Sequence, residues 1–263
     1  MALLEVHDLH KAFAGRKVLD GVSFAAEAGE VLAIMGPSGT GKSTLLKIVL
    51  GALKPDQGRV VLDGDEITAL SERELDQVRV KFGVLFQNVA LLHSLTVGEN
   101  VALPLIEHSP LDPSVIEIMV RMKLSQVGLT DFENFYPNQL SGGMQKRAGL
   151  ARAIARDPKV VFFDEPTAGL DPVVGQAMVK LIRDFSRALK ITAVVISHRV
   201  DLMLPVADRV VMLYNGKVVF SGLPADMAAS EDPLVRQFVR GEIEGPIPVI
   251  PAPEQLKKAL LGE

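Results

Sequence analysis

The sequence predicts an α/β fold: a parallel sheet covered on both faces, led by an antiparallel β layer and interrupted by an inserted helical subdomain. Three observations carry this expectation. Two almost wholly apolar runs, "KVVFFDEP" and "ITAVVISH", flank the helical text "VVGQAMVKLIRDFSRALK", and apolar strands that alternate with helices build parallel sheets. The run "VLAIM" passes through a glycine-rich turn into "KSTLLKIVLGAL", a strand, a loop and a helix in succession. The first 35 residues hold short alternating runs, which suit antiparallel strands.

Taken in order, "LLEVHDL", "VLDGVSFAAE" and "EVLAIM" are expected as three antiparallel strands, with turns at Ala14, Gly15, Ala28 and Gly29. The helix that follows ends near Lys54 and Pro55. "GRVVLDGDEI" predicts a strand with a tight Asp63–Gly64 turn, and "FGVLFQ" one more. Residues 91–158 turn helical in character, with Asp112 and Pro113 placed as cap and first-turn residue of "SVIEIMVRMKLSQVGL". "RVVMLYNGKVVFSG" predicts a hairpin about Asn215–Gly216. The expected division is a main domain over 1–240 and a proline-rich extension over 241–263, which is expected to leave the compact fold.

Composition narrows the function. With 28 Lys plus Arg against 32 Asp plus Glu, the net charge is −4, which gives no broad pull toward nucleic acid. There is no cysteine, and therefore no disulfide or thiolate metal site. "MALLEVHDLHKAF" carries early acidic residues and no basic segment before an apolar run, so no secretory signal is expected. No apolar run nears the roughly 20 residues of a membrane-spanning helix. Service to a membrane would then come from the side, through a partner.

"GPSGTGKST", comprising Gly36, Pro37, Ser38, Gly39, Thr40, Gly41, Lys42, Ser43 and Thr44, fits a phosphate-binding loop. Its glycines let backbone N–H groups approach phosphates, Lys42 can reach the β and γ phosphates, and Ser43 can ligate Mg²⁺. "VVFFDEP" ends a buried strand in Asp164 and Glu165, at the sheet edge where open α/β folds place ligands. Asp164 suits the surroundings of Mg²⁺, and Glu165 suits polarising an attacking water. Alone, such a pair is as compatible with a solvated turn; a phosphate loop on the same sheet favours the chemical reading. His198 ends "VVISH" beside that edge, and Gln87 follows "GVLF". Singly, each is also compatible with ordinary hydrogen bonding.

A second anion-attracting helix start, "LSGGMQKR", lies about a hundred residues downstream. Together with the phosphate loop, Gln87, "VVFFDEP", "AGLD" and His198, in this order over about residues 3 to 225, it resembles the nucleotide-binding subunit of ABC transporters. That resemblance implies a P-loop NTPase cassette with a RecA-like core, ATP and Mg²⁺ as cofactors, and a homodimer that sandwiches two nucleotides head to tail. It implies that Ser141, Gly142 and Gly143 of one copy contact the γ-phosphate held by the other. It further implies that Glu165 is the general base, that His198 contacts the γ-phosphate, that Gln87 links Mg²⁺ and water to an integral membrane permease, and that Asp171 communicates across the dimer. Phe13 stands where the family keeps an adenine-stacking aromatic; a core Phe in a strand is the other reading.

"LFQNVALLHSLTVGENVALPLIEH" and "DPLVRQFVRGEIEGPIPV" resemble the ATPase of Mla-type phospholipid transporters. The resemblance implies an ATPase at the cytoplasmic face of a bacterial inner membrane, docked on a permease with accessory lipid-binding subunits. An ABC ATPase for a small solute such as an amino acid is the nearer alternative, and a soluble non-transport ABC protein the more distant one.

Overall fold

The computed structural model describes residues 2–248. Its amino-terminal layer is a four-stranded antiparallel sheet in the order β2-β1-β4-β5, from β1 (Ala2–Phe13), β2 (Arg16–Glu27), β4 (Gln57–Leu62) and β5 (Asp65–Glu66). The Asp63–Gly64 turn joins the last two with φ of 50° and 86°, the doubly left-handed backbone that suits a two-residue hairpin.

The second sheet has six strands in the order β10-β9-β3-β8-β7-β6. β3 (Val31–Met35), β6 (Phe82–Leu85), β7 (Val160–Asp164), β8 (Thr192–Ile196) and β9 (Arg209–Tyr214) run parallel, and β10 (Lys217–Gly222) returns antiparallel through the Asn215–Gly216 hairpin. "VLAIM" therefore does not join the antiparallel layer as expected; β3 sits between β8 and β9 at the heart of the parallel sheet. All five of its residues are buried, and a strand without a polar face needs cover on both sides.

The helices are α1 (Lys42–Val49), α2 (Glu72–Arg79), α3 (Val97–His108), α4 (Pro113–Gln126), α5 (Gly142–Ala153), α6 (Pro172–Leu189), α7 (Val200–Met203), α8 (Pro224–Ala228) and α9 (Pro233–Arg240). α1 stops short of the expected Lys54, and a left-handed Gly51 follows it. Asp112 caps α4 through Ser114 N–H at 2.9 Å, with Pro113 at the first position.

Alternate residues of the central strands feed two cores. Leu32, Ile34, Val160 and Phe162 pack with α1 and the antiparallel layer, while Val31, Ala33, Met35, Val161 and Phe163 pack with α3, α4, α5 and α6. Phe162 is fully buried and meets Phe82 edge-on, ring centres 5.7 Å apart; a buried Phe of this kind contributes about 1.5–3 kcal/mol.

The chain does not leave the fold at Gly241. The buried Gln237 amide accepts from Ile247 N–H at 2.7 Å and donates to the Ile247 carbonyl at 3.0 Å, and Tyr214 donates to the Pro246 carbonyl at 3.2 Å. A buried amide needs partners, and the returning backbone supplies them. The expected extension beyond 248 lies outside the described residues. Among the described residues, no helix is long and apolar enough to cross a membrane.

Candidate functional site

The phosphate-loop text folds as a tight cradle between β3 and α1. A Cβ on Gly36 (φ 142°) would lie 2.2 Å from the Leu213 carbonyl oxygen, and one on Gly41 (φ 101°) 2.7 Å from that of Val18. Only glycine fits such backbone approaches. The first hydrogen bond of α1 is Leu45 N–H to the Gly41 carbonyl, 2.8 Å. Amides ahead of it close no helical ring, and a helix start of this kind draws anions. Thr40 Oγ1 donates to the Pro37 carbonyl at 2.9 Å, and Lys42 Nζ to the carbonyls of Gly36 and Pro37 at 2.7 and 2.8 Å. The loop thus holds its own lysine in place. Burial pushes the Lys42 ammonium below its ordinary range, against the pull of Glu165 and Asp164.

Four neighbouring strands bring their carboxyl ends to this cradle: β3 leads into the loop, β6 toward Gln87, β7 ends in Asp164 before Glu165, and β8 leads to His198. Ser38, Gly39, Gly41, Lys42, Ser43, Thr44, Gln87, Asp164, Glu165 and His198 line one cleft of about 360 Å³. Glu165 sits in the left-handed region at φ 46°, which costs a non-glycine residue of order 1–3 kcal/mol. Its N–H donates to the Ile196 carbonyl at 2.9 Å, and its Oε1 meets His198 Nδ1 at 2.9 Å. Its Oε2 is buried and meets no partner among the described residues.

Burial, seconded by Glu165, lifts the Asp164 carboxyl above its ordinary range, with Lys42 and Lys146 opposing. Two half-buried acids, one with an orphaned oxygen, beside a serine hydroxyl and a glutamine amide form an oxygen donor set that fits a hard divalent cation. Among the described residues no cluster of three or more His, Cys, Asp or Glu could hold a metal alone. A cation here would share its shell with ligand oxygens and water, as magnesium does.

Eight expected site residues do not line the cleft: Gly36, Pro37 and Thr40, which belong to the loop itself, and Phe13, Ser141, Gly142, Gly143 and Asp171, which lie on other elements. Ser141 caps α5, its Oγ accepting from Met144 N–H at 3.3 Å. Asp171 caps α6, its Oδ1 accepting from Val173 and Val174 N–H at 3.0 Å each. Added Cβ atoms on Gly142 and Gly143 would lie 3.9 Å from Leu170 Cδ2 and 2.7 Å from Val174 Cγ1, which sets the two helix starts side by side. Phe13 is 47% exposed, with Lys11 Nζ 5.6 Å from its ring centre. The core reading of Phe13 therefore falls.

Two residues of α5 join the site unforeseen. Lys146, 4% exposed, donates to the Gln87 carbonyl at 2.8 Å and the Glu165 carbonyl at 3.3 Å. Arg152 donates to the carbonyls of Val89 and Ala90 at 2.8 and 2.7 Å, across backbone that is left-handed at both (φ 59° and 54°). A signal exists: Lys146 lies three residues before Gly149 on one helical face, and that face packs on Leu85 and Val89.

A family model described as ABC transporter matches residues 19–168. The chain is 42% identical over 245 residues to the intermembrane phospholipid transport system ATP-binding protein MlaF of Haemophilus influenzae, covering 93% of each chain. It is 41% identical over 244 residues to the probable ribonucleotide transport ATP-binding protein mkl of Mycobacterium tuberculosis, covering 93% of this chain and 68% of that one. Among solved structures, the dimeric post-hydrolysis state of the ATP-binding cassette MJ0796 bound to ADP and Pi is 32% identical, with TM-score 0.77, over 84% of this chain and 98% of that one. CbiO1 from Clostridium perfringens, part of the transporter complex CbiONQ, is 30% identical with TM-score 0.81, over 91% and 95%.

Proposed function

This chain belongs to the ABC transporter family, and we propose that within it the protein is the ATP-hydrolysing subunit of a phospholipid-transport system in a bacterial envelope. The observation that carries the mechanism is a separation: the cradle, Glu165 and His198 share one cleft, while Ser141, Gly142 and Gly143 stand outside it. A copy that holds ATP in its cleft then needs the signature of a second copy, which is the head-to-tail homodimer.

In each half the amides of the loop and Lys42 receive the β and γ phosphates. Phe13, exposed at the end of β1, stacks the adenine, a contact worth about 1–3 kcal/mol per base by analogy with single-stranded nucleic acids. Ser43, Asp164 and Gln87 would hold Mg²⁺, which supplies charge neutralisation on the phosphates. Glu165 orients and deprotonates the attacking water through Oε2, while His198 fixes Oε1 and faces the γ-phosphate. The partner's helix start supplies donors where charge develops, each worth roughly 10²–10³ in rate. Asp171, beside the signature, communicates across the dimer.

The cargo reading rests on the phospholipid-transport relative, which matches at 42% identity across 93% of both chains. A small polar cargo, as named for the mycobacterial relative, comes with a match to only 68% of a longer chain. We place the protein on the cytoplasmic face of the inner membrane, docked on an integral permease with accessory lipid-binding subunits. Residues 1–240 form the ATP-binding domain with a helical subdomain near 91–158; of the extension over 241–263, the part to 248 folds back on Gln237 and Tyr214 and the rest lies outside the described residues.

Two experiments test this. Glu165→Gln should retain ATP binding, lose turnover and accumulate ATP-dependent dimers; normal hydrolysis removes Glu165 from the base role. Complex purified from membranes should carry permease and phospholipid by mass spectrometry. A permease that arrives with a solute-binding subunit and no lipid refutes the cargo.

A further inference from the structure

We propose that Lys146 is a positioning residue for ATP hydrolysis: from the helix that begins with the signature, its ammonium ties the main chain of Gln87 to that of Glu165 and so sets the aim of the Glu165 carboxylate. The proposal rests on the reading of Glu165 as the base.

The geometry at Glu165 is held by four bonds. Its N–H is bonded to the Ile196 carbonyl, its Oε1 to His198 Nδ1, and its own carbonyl accepts from Ala168 N–H at 3.0 Å and from Lys146 Nζ at 3.3 Å. Left-handed backbone at φ 46° persists in a non-glycine residue only where surrounding contacts over-determine it. Without the Lys146 bond, the Glu165 carbonyl keeps only the local turn bond from Ala168 N–H and loses its tie to α5, so the peptide can shift with that turn and carry the orphaned Oε2 with it.

The other end of the tie is equally constrained. Lys146 reaches the Gln87 carbonyl at 2.8 Å, and Arg152, farther along α5, grips the carbonyls of Val89 and Ala90. Between them, a Cβ on Gly149 would lie 2.4 Å from Val89 Cγ1, so helix and loop touch directly. The Gln87 segment is thus fixed to α5, and Lys146 alone carries that fixation on to Glu165 among the bonds of these three residues.

A role confined to packing would not need an ammonium. Lys146 is 4% exposed, forms no ion pair within 4 Å among the described residues, and spends its bonds on two carbonyls of the catalytic edge. Burying a charge is costly; the nearby Glu165 and Asp164 carboxylates offset part of that cost, and the two bonds to main-chain carbonyls turn it to the alignment of the two segments. Misplacement by about 1 Å near reacting groups costs on the order of 10²-fold in rate.

The test is steady-state turnover of MgATP by the full chain, with ATP binding and thermal melting measured in parallel. Lys146→Met, which keeps the stem and removes the donors, should lower kcat roughly 10- to 100-fold, with KM for ATP within about twofold of the parent. Lys146→Arg should restore most of kcat. Parent-like kcat in Lys146→Met overturns the proposal, as does a loss that Arg does not rescue. If Lys146→Met fails to fold, Lys146→Leu, which likewise lacks donors, is read by the same kcat and KM criteria. Should Glu165→Gln hydrolyse normally, the base reading itself has failed; should it be dead while Lys146→Met is normal, only this proposal has.

Discussion

Gly142→Ala puts a methyl group at the first position of α5, where its nearest neighbour would be Leu170 Cδ2 at 3.9 Å, an ordinary contact. Nothing in the isolated chain resists it. Alanine exceeds glycine in helix propensity by up to about 1 kcal/mol, and the nucleotide-free melting temperature should hold or rise. Turnover should nevertheless fall, because the methyl stands on the helix start assigned to the partner's γ-phosphate. Loss of one such donor costs roughly 10²–10³ in rate, or about 2.7–4 kcal/mol.

The decisive assay mixes this variant with Lys42→Met, which removes the buried ammonium of the cradle. Each variant alone is expected to be nearly inactive. In a mixed dimer one site combines both lesions and the other none, so random exchange of copies should recover up to about one quarter of parent turnover. Absence of recovery, or loss of ATP binding in Gly142→Ala alone, refutes the sharing of sites between copies.

Glu30 accepts from Glu27 N–H at 2.8 Å and lies 3.5 Å from Arg209, yet burial, as the largest cause, lifts its carboxyl above the ordinary range. The folded state then binds more protons than the unfolded one between those two values, and stability falls as pH rises through that window. Glu30→Gln should therefore gain melting temperature over the parent more at about pH 8 than at about pH 4; an equal difference at both would refute the assignment. Gly83→Ala drives a Cβ to 2.1 Å from the Ala153 carbonyl oxygen. Parting β6 from α5 should cost about 1–3 kcal/mol in denaturant unfolding, and an unchanged midpoint would show that the two elements separate freely.

The cleft was legible in the sequence where chemistry dictates residue type. Gly36 and Gly41 are announced because foreign carbonyls occupy the space of their side chains, and Asp164 and His198 because each closes an apolar run at a strand end. The Asn215–Gly216 turn reads directly from residues that tolerate positive φ. "VLAIM" reads as a strand, but its sheet is chosen by β8 and β9 far downstream, which local alternation cannot register. Lys146 and Arg152 escaped for a different reason: their acceptors are main-chain carbonyls, which every residue carries. The proline-rich text after Gly241 suggested departure, while one buried side chain, Gln237, holds it back.

The placement of β3 bears on how the protein is born. A ribosome delivers Val31–Met35 long before the strands that flank it on either side, β8 and β9, and contacts so distant in sequence form late. The Leu213 carbonyl that presses on Gly36 arrives with β9 itself. A nascent chain therefore gains its nucleotide grip at a stroke, once β9 has been made, and a copy that still lacks β9 has no finished cradle to offer a mature one.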